Sequence, residues 1–252
     1  MEPSKILVTG GSGLLGSKLK ELLPDALYPT HDEMDISMIS DISWFITEHK
    51  NIEMVVHLAA FTSPPKIDAD PWTALSSNIK GTANIVDLCM GRDIYLIYMS
   101  TDYVFDGEEW YDRWNGGQSG EYDEGHYLNP VNKYAWSKLG GECAVRMYDN
   151  SLIVRTSFGP DIFPYDKAFV DQYTSRESVT NIAHKLVRII NYKPYITGVL
   201  HIGGKCQTVY DYAKKTKPDV GKLKTSDVSF KIPHNTSLDT TRYEQLFWGK
   251  ND

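Results

Sequence analysis

The sequence is poor in the residues that build metal sites and disulfide frameworks. Its three cysteines, Cys89, Cys143 and Cys206, stand far apart in 252 residues. Neither a C-x-x-C nor an H-E-x-x-H spacing occurs, so no metal is expected and the thiols read as reduced, in a cytoplasmic protein. No apolar run is long enough to cross a bilayer. The amino-terminal segment lacks a basic stretch followed by an unbroken apolar one, because Thr9, Gly10 and Gly11 interrupt it. Cationic charge is in short supply: 26 Lys and Arg face 33 Asp and Glu, a net charge of −7. That balance argues against nucleic acid or an anionic membrane as partner.

What is present alternates. Ile6-Leu7-Val8 is a short apolar run that ends in glycines, a buried strand. Leu14, Leu15, Leu19, Leu22 and Leu23 follow at helical spacing, and Pro24 stops the helix. Ala26–Tyr28 reads as a second strand, Ile42, Phe45 and Ile46 as a helix, and Met54–Leu58 as a third strand. Leu75, Ile79, Ala83, Val86 and Met90 mark a helix over 70–90. Ile94–Met99 is the fourth strand, 132–148 a helix and Leu152–Val154 the fifth strand. Such alternation predicts an α/β fold with a Rossmann-type, doubly wound parallel sheet. Residues 107–129, rich in Gly, Asp, Trp and Tyr, read as an ordered loop over the cleft. After Pro160 a helix (Val179–Asn191), a strand (Val199–Ile202) and shorter pieces remain. The expected division is a dinucleotide-binding domain at 1–160 and a small C-terminal, mainly substrate-binding lobe at 161–252. Some segments of that lobe return to the first domain.

Gly10, Gly13 and Gly16 stand at G-x-x-G-x-x-G between the first strand and its helix. Here the backbone must approach a pyrophosphate closely, and the helix N-terminus adds partial positive charge. The expected cofactor is NADP or NAD. The acid that usually follows the second strand is missing from Leu27-Tyr28-Pro29-Thr30-His31-Asp32. Thr30 and His31 are therefore read as acceptors of a 2′-phosphate, which leans the expectation slightly toward NADP. Tyr134 and Lys138 share a helix face at i and i+4. An ammonium stabilises a phenolate, whose ordinary pKa is about 10, so the tyrosine can act as an acid toward a carbonyl. The strand-four end, Met99-Ser100-Thr101-Asp102-Tyr103, offers two hydroxyls, Ser100 and Thr101, to an oxygen on which charge develops. His57, Cys89, Cys143 and His201 read as packing residues.

Together, VTGGSGLLG (8–16), HLAAFT (57–62), the helix with Asn78 and Gly81-Thr82, STDYVFDG (100–107), NPVNKYAWSKLGGE (129–142), VRTSFG (154–159), HIGG (201–204) and SLDTTR (237–242) resemble the extended short-chain dehydrogenase/reductases. Within them the chain is similar to the dTDP-4-dehydrorhamnose reductase family. The resemblance implies reduction of the C4 ketone of a nucleotide-linked 4-keto-6-deoxysugar, in deoxysugar and polysaccharide precursor synthesis. It implies Thr101, Tyr134 and Lys138 as catalytic residues, with Tyr134 and Lys138 also touching the cofactor. It places Gly10, Ser12, Gly13, Leu14, Leu15 and Gly16 at the pyrophosphate, Asp35 and Ile36 near adenine, and Ala59, Ala60 and Asn78 along the cofactor. Thr62, Tyr103, Arg155 and Phe158 fall to the substrate, Arg155 and Phe158 at the mouth of its cleft. A homodimer is implied by analogy. Two other readings stand beside it: a cofactor-binding regulatory subunit like that of methionine adenosyltransferase, and an epimerase or dehydratase. The Asp102-Tyr103 pair, where dehydratases carry two acids, favours a reductase. Departures are Phe158 for a frequent tryptophan, Ala135-Trp136 for glycine and a polar residue, a longer loop at 108–120 and a shorter C-terminal lobe.

Overall fold

The computed structural model describes residues 1–108, 120–228 and 232–247. Its centre is a five-stranded sheet in the order β1-β2-β3-β4-β9, formed by β1 (Ile6–Thr9), β2 (Met54–His57), β3 (Tyr95–Met99), β4 (Ser151–Thr156) and β9 (Gly198–Ile202). Neighbours from β1 to β4 run parallel, with Leu7 beside Val55, Val55 beside Leu96, and Tyr98 beside Ile153. Every residue of β1 to β4 is buried, so both faces are covered, as a parallel sheet requires. Other strands are short: β5 (Phe158–Gly159), β6 (Lys167–Phe169), β7 (Tyr173–Thr174), β8 (Glu177–Ser178), β10 (Gln207–Thr208) and β11 (Gly221–Leu223).

The helices are α1 (Leu14–Leu22), α2 (Ile39–Glu48), α3 (Pro64–Ala69), α4 (Pro71–Ala74), α5 (Thr82–Arg92), α6 (Lys133–Val145), α7 (Val179–Asn191), α8 (Val209–Lys214) and α9 (Thr241–Phe247). One core joins Leu7, Val55, Leu96, Tyr98 and Ile153 of the sheet to Ile42, Phe45 and Ile46 of α2, Ile85, Val86 and Cys89 of α5, and Val145 of α6. The helix expected over 70–90 is not continuous. Between α4 and α5 the residues Leu75–Gly81 wind as a π-helix, a form that re-aims side chains at functional sites. The expected second strand is reduced to one bridge, Leu7 to Leu27. Pro24 and Pro29 flank it closely, and neither can donate to a ladder.

By compactness the chain forms two units. The first comprises 1–100, 132–154 and 183–199; the second comprises 101–131, 155–182 and 200–252. The path changes unit after Ser100, before Asn132, inside β4, inside α7 and inside β9. Most of the loop expected over the cleft, 109–119, lies outside the described residues. Its described end is fixed within the second unit: Tyr122 is buried, stacks on Phe105 at 4.2 Å and bridges to Leu238.

Candidate cofactor and catalytic site

In the first unit the chain leaves β1 into the glycine turn. Gly10 takes φ +74°, and a Cβ there would lie 2.6 Å from the Ala59 nitrogen. A Cβ on Gly16 would fall 2.3 Å from the Gly10 carbonyl oxygen. Side chains at these two positions would close the turn or push α1 away from it. No side chain caps the N-terminus of α1, whose N-cap is Gly13, so its amides face the turn. Around this turn lies a cleft of about 480 Å³. Of the expected cofactor residues, Gly10, Ser12, Gly13, Thr30, His31, Asp35, Ile36, Ala59 and Ala60 line it. Leu14, Leu15 and Gly16 do not; Leu15 is buried, so this first turn offers backbone, not side chains. Sequence reasoning passed over Phe61, Trp72, Ser76 and Ser77, which also line the cleft. Ser76 and Ser77 lie on the π-helical turn, which apolar periodicity does not reveal; Phe61 precedes α3 and Trp72 belongs to α4.

Thr30 is already committed. Its N–H and its Oγ1 both donate to Glu33 Oε2, at 2.8 and 2.9 Å.

Beneath the cleft a buried polar chain has one sense only. Thr82 Oγ1 donates its single proton to the Asn78 carbonyl oxygen at 2.7 Å, so at 3.1 Å it must accept from His57 Nε2. His57 Nδ1 is then bare and accepts from Thr9 Oγ1 at 2.7 Å, which in turn accepts the Ala59 N–H at 3.2 Å. Burial, helped by the charge of Lys138, lowers the His57 pKa to about 3. The imidazole stays neutral, a strand-end core histidine as expected. Asn78, wholly buried, does not line the cleft. Its Oδ1 accepts the Phe61 N–H at 2.7 Å, and its Nδ2 donates to the Phe61 carbonyl at 2.9 Å and to Ser137 Oγ at 2.8 Å. Ser137 Oγ donates to the Tyr134 carbonyl at 2.7 Å. Asn78 therefore ties the cleft wall to α6.

α6 starts at Asn132, whose side chain accepts from the Ala135 N–H at 2.8 Å. Tyr134 lies half-buried on its first turn. Lys138 is 3% exposed, with Nζ 4.3 Å from the centroid of the Tyr98 ring. Burial drops the Lys138 pKa to about 7, against the charge of Glu142, which raises it. Glu142 is fully buried one turn on, and its Oε1 accepts from Ser100 Oγ at 2.5 Å. Among the described residues no acceptor meets the Lys138 ammonium. The side chain is buried but its Nζ is not sealed off, so the ammonium can meet a ligand that brings hydroxyl oxygens. Gly140 and Gly141 let α6 approach: a Cβ on Gly141 would lie 2.3 Å from Tyr98 Oη and 2.9 Å from the Asn78 carbonyl.

The second unit holds Thr101, Tyr103, Arg155 and Phe158. Thr101 Oγ1 donates to Asp102 Oδ1 at 3.2 Å and accepts from the Tyr103 N–H at 3.2 Å. Asp102 Oδ2 accepts from Thr236 Oγ1 at 2.6 Å. Burial pushes the Asp102 carboxyl up to about 6, although the Thr236 hydroxyl and the charge of Arg176 pull the other way. Tyr103 is half-buried, and Gln172 Nε2 donates to its hydroxyl at 3.5 Å. Arg155 is not at an open mouth: it is fully enclosed, 5.4 Å from the Phe105 ring centroid, with Nη1 3.4 Å from His201 Nε2. Phe158, in β5, is half-buried. Thr62 of the first unit is exposed. Cys89 and His201 pack as expected; Cys143 does not, since it is exposed. No group of His, Cys, Asp and Glu among the described residues is arranged to hold a metal. No helix among them is long and apolar enough to cross a membrane.

The family model named RmlD substrate binding domain matches residues 4–163. The chain belongs to this family. Among RmlD relatives, a dTDP-4-dehydrorhamnose reductase of Aggregatibacter actinomycetemcomitans is 27% identical, with 97% of this chain and 93% of that protein covered. A dTDP-4-keto-6-deoxy-D-glucose reductase of Streptomyces niveus is 32% identical over 60% of this chain and 51% of its own length. Against that relative the chain spans about half the length. A solved structure of a Bacillus anthracis dTDP-4-dehydrorhamnose reductase in complex with NADP superposes with a TM-score of 0.83. It covers 95% of this chain and 92% of its own at 23% identity, a likeness of fold. The Rossmann-type architecture and the RmlD assignment read from the sequence both stand.

Proposed function

We propose that this chain is an NAD(P)H-dependent reductase of the C4 ketone of a nucleotide-linked 4-keto-6-deoxysugar. The observation that carries the reading is the Lys138 side chain, buried with its ammonium against the Tyr98 ring one turn from Tyr134, in the same unit as a glycine-turned cleft. The reductases among its RmlD relatives support the same chemistry. The glycine turn and the α1 amides hold the pyrophosphate, and Ala59 and Ala60 flank the dinucleotide. Lys138 donates to ribose hydroxyls and, while protonated, draws the Tyr134 hydroxyl toward ionisation. The dihydronicotinamide supplies hydride to C4. Tyr134 gives its proton to O4 as charge develops there. Thr101, of the second unit, has a hydroxyl that now donates to Asp102 and is the group assigned to orient a substrate carbonyl. Tyr103 and Phe158 are the second-unit residues assigned to the nucleotide-sugar.

The test is the loss of dihydronicotinamide absorbance on adding nucleotide-linked 4-keto-6-deoxysugars to the purified protein. Wild type consumes the cofactor with at least one member of the panel, and Tyr134→Phe lowers kcat by about a thousandfold. Tight cofactor binding with no turnover across the panel overturns the substrate class.

A further inference from the structure

Thr101 is assigned to the substrate carbonyl, yet its one hydroxyl proton is given to its neighbour in the chain. We propose that Asp102 is a positioning residue for Thr101: ionised, it holds the Thr101 proton, and protonated, it frees that proton for the substrate oxygen. This rests on the reading of Thr101 above.

The hydrogen bonds fix the sense of the control. A threonine hydroxyl offers one proton and two lone pairs. Thr101 Oγ1 accepts the Tyr103 N–H at 3.2 Å, capping the 3₁₀ turn Asp102–Val104, and donates to Asp102 Oδ1 at 3.2 Å. While Asp102 is a carboxylate, no Thr101 proton remains for a ketone oxygen. The Asp102 side chain is shut away from solvent, in a residue only 2% exposed. The buried Thr236 hydroxyl donates to its Oδ2 at 2.6 Å, so that oxygen is an acceptor. An added proton therefore goes to Oδ1, the oxygen bonded to Thr101. The bond then reverses. Asp102 becomes the donor, both Thr101 lone pairs are filled, and the Thr101 proton is released. A hydroxyl in that state can only donate, which suits a ketone oxygen gaining charge. Asp102 is not consumed as an acid: the proton that reaches O4 comes from Tyr134, and the hydride that reaches C4 from the dihydronicotinamide.

The groups that face Asp102 are Thr101 and Tyr103 beside it, Ser157 after β4, Arg176 between β7 and β8, and Thr236. Burial raises the carboxyl to about 6, against the Thr236 hydroxyl, the charge of Arg176, and the Thr101 and Ser157 hydroxyls. Tyr103 is itself pushed up by burial and by the charge of Asp102, so it stays neutral.

Two measurements on the full chain test this. The first is difference infrared spectroscopy without substrate, titrated across pH 6. Wild type shows the C=O stretch of a protonated carboxyl, lost as the pH rises and absent from Asp102→Asn. Thr101→Val removes the acceptor of its O–H and moves the band to higher frequency. The second is the single-turnover rate of dihydronicotinamide oxidation with a nucleotide-linked 4-keto-6-deoxysugar. In Asp102→Asn the amide nitrogen donates to Thr101 and the amide oxygen accepts from Thr236, the pattern of the protonated acid at every pH. The ratio of the rate at pH 6 to that at pH 7 is accordingly about fivefold larger in wild type than in Asp102→Asn, the titration of Lys138 being common to both. Thr236→Val removes a donor to the carboxylate and moves the midpoint to higher pH. Equal ratios, a midpoint that Thr236→Val leaves in place, or a band that Thr101→Val does not move, overturn the control by Asp102 and leave the reductase reading standing. Lack of turnover by wild type with every such substrate overturns the two together.

Discussion

Lys138 is held between opposing effects. Burial removes the water that would stabilise its charge, and Glu142, one helical turn away and itself fully buried, returns part of that stabilisation. The balance leaves its pKa at about 7, where a small loss tips it neutral. Glu142→Gln keeps the shape and the Ser100 contact but removes the charge, so the Lys138 pKa falls further. The variant loses activity steeply at pH 8 and recovers most of it at pH 6. A pH profile of kcat/KM checks this, and a loss equal at both pH values would mark a packing defect instead. That Tyr134 and Lys138 share a face of α6 could be read from their i, i+4 spacing. Glu142 could not, since a carboxylate eight residues after a tyrosine on a helix is ordinarily a solvated one. Its meaning comes from Ser100 at the end of β3, forty-two positions away.

Elements show the same split. The strands β1 to β4 were legible because each is a short apolar run bounded by breakers, and α7 because its apolar residues recur at helical spacing up to Asn191. The π-helix at Leu75–Gly81 was not, because one wider turn leaves the apolar face of a helix almost unchanged. It is nonetheless what aims Asn78 at Phe61 and Ser137. α6 can meet this turn and β3 only through Gly140 and Gly141. Gly141→Ala sets a methyl against Tyr98 Oη, which is engaged with the Lys138 carbonyl at 3.1 Å, and against a backbone oxygen that cannot step aside. The expected cost is about 2 kcal/mol, read as a lower denaturant midpoint with an unchanged m-value. Helix propensity alone predicts the opposite sign, since alanine is the better helix former.

At the scale of the molecule, two buried histidines set the acid limit. His57 and His201 are both pushed down to about 3, chiefly by burial, and both are locked as neutral tautomers. His201 Nδ1 donates to the Tyr122 carbonyl at 3.0 Å, leaving Nε2 for Arg155. Below pH 6.5 the unfolded chain protonates both while the fold does not, so stability falls as pH drops toward 3. Asp102, raised to about 6, binds a proton in the fold between pH 6 and 3.8 and offsets one of the two. Near pH 5 the net slope is about 1.4 kcal/mol per pH unit, stability rising with pH. Denaturant unfolding at pH 5, 6 and 7 measures it, and His201→Gln flattens the dependence. The division of the chain was the least legible feature at this scale, because periodicity marks where elements begin and not which elements meet. Residues 183–199, most of α7 and the first two residues of β9, complete the first unit from far downstream, where Tyr195 stacks on Tyr95 at 4.2 Å.

That path has a consequence for anyone who would rebuild this protein. Each unit is written in the gene as three separate stretches, interleaved with those of the other. No single cut yields either half intact; a fragment ending at 160 would forfeit 183–199, and with it the partner of Tyr95. Replacing the second unit is therefore a matter of three simultaneous exchanges, at 101–131, 155–182 and 200–252, with splice points that fall inside β4, α7 and β9.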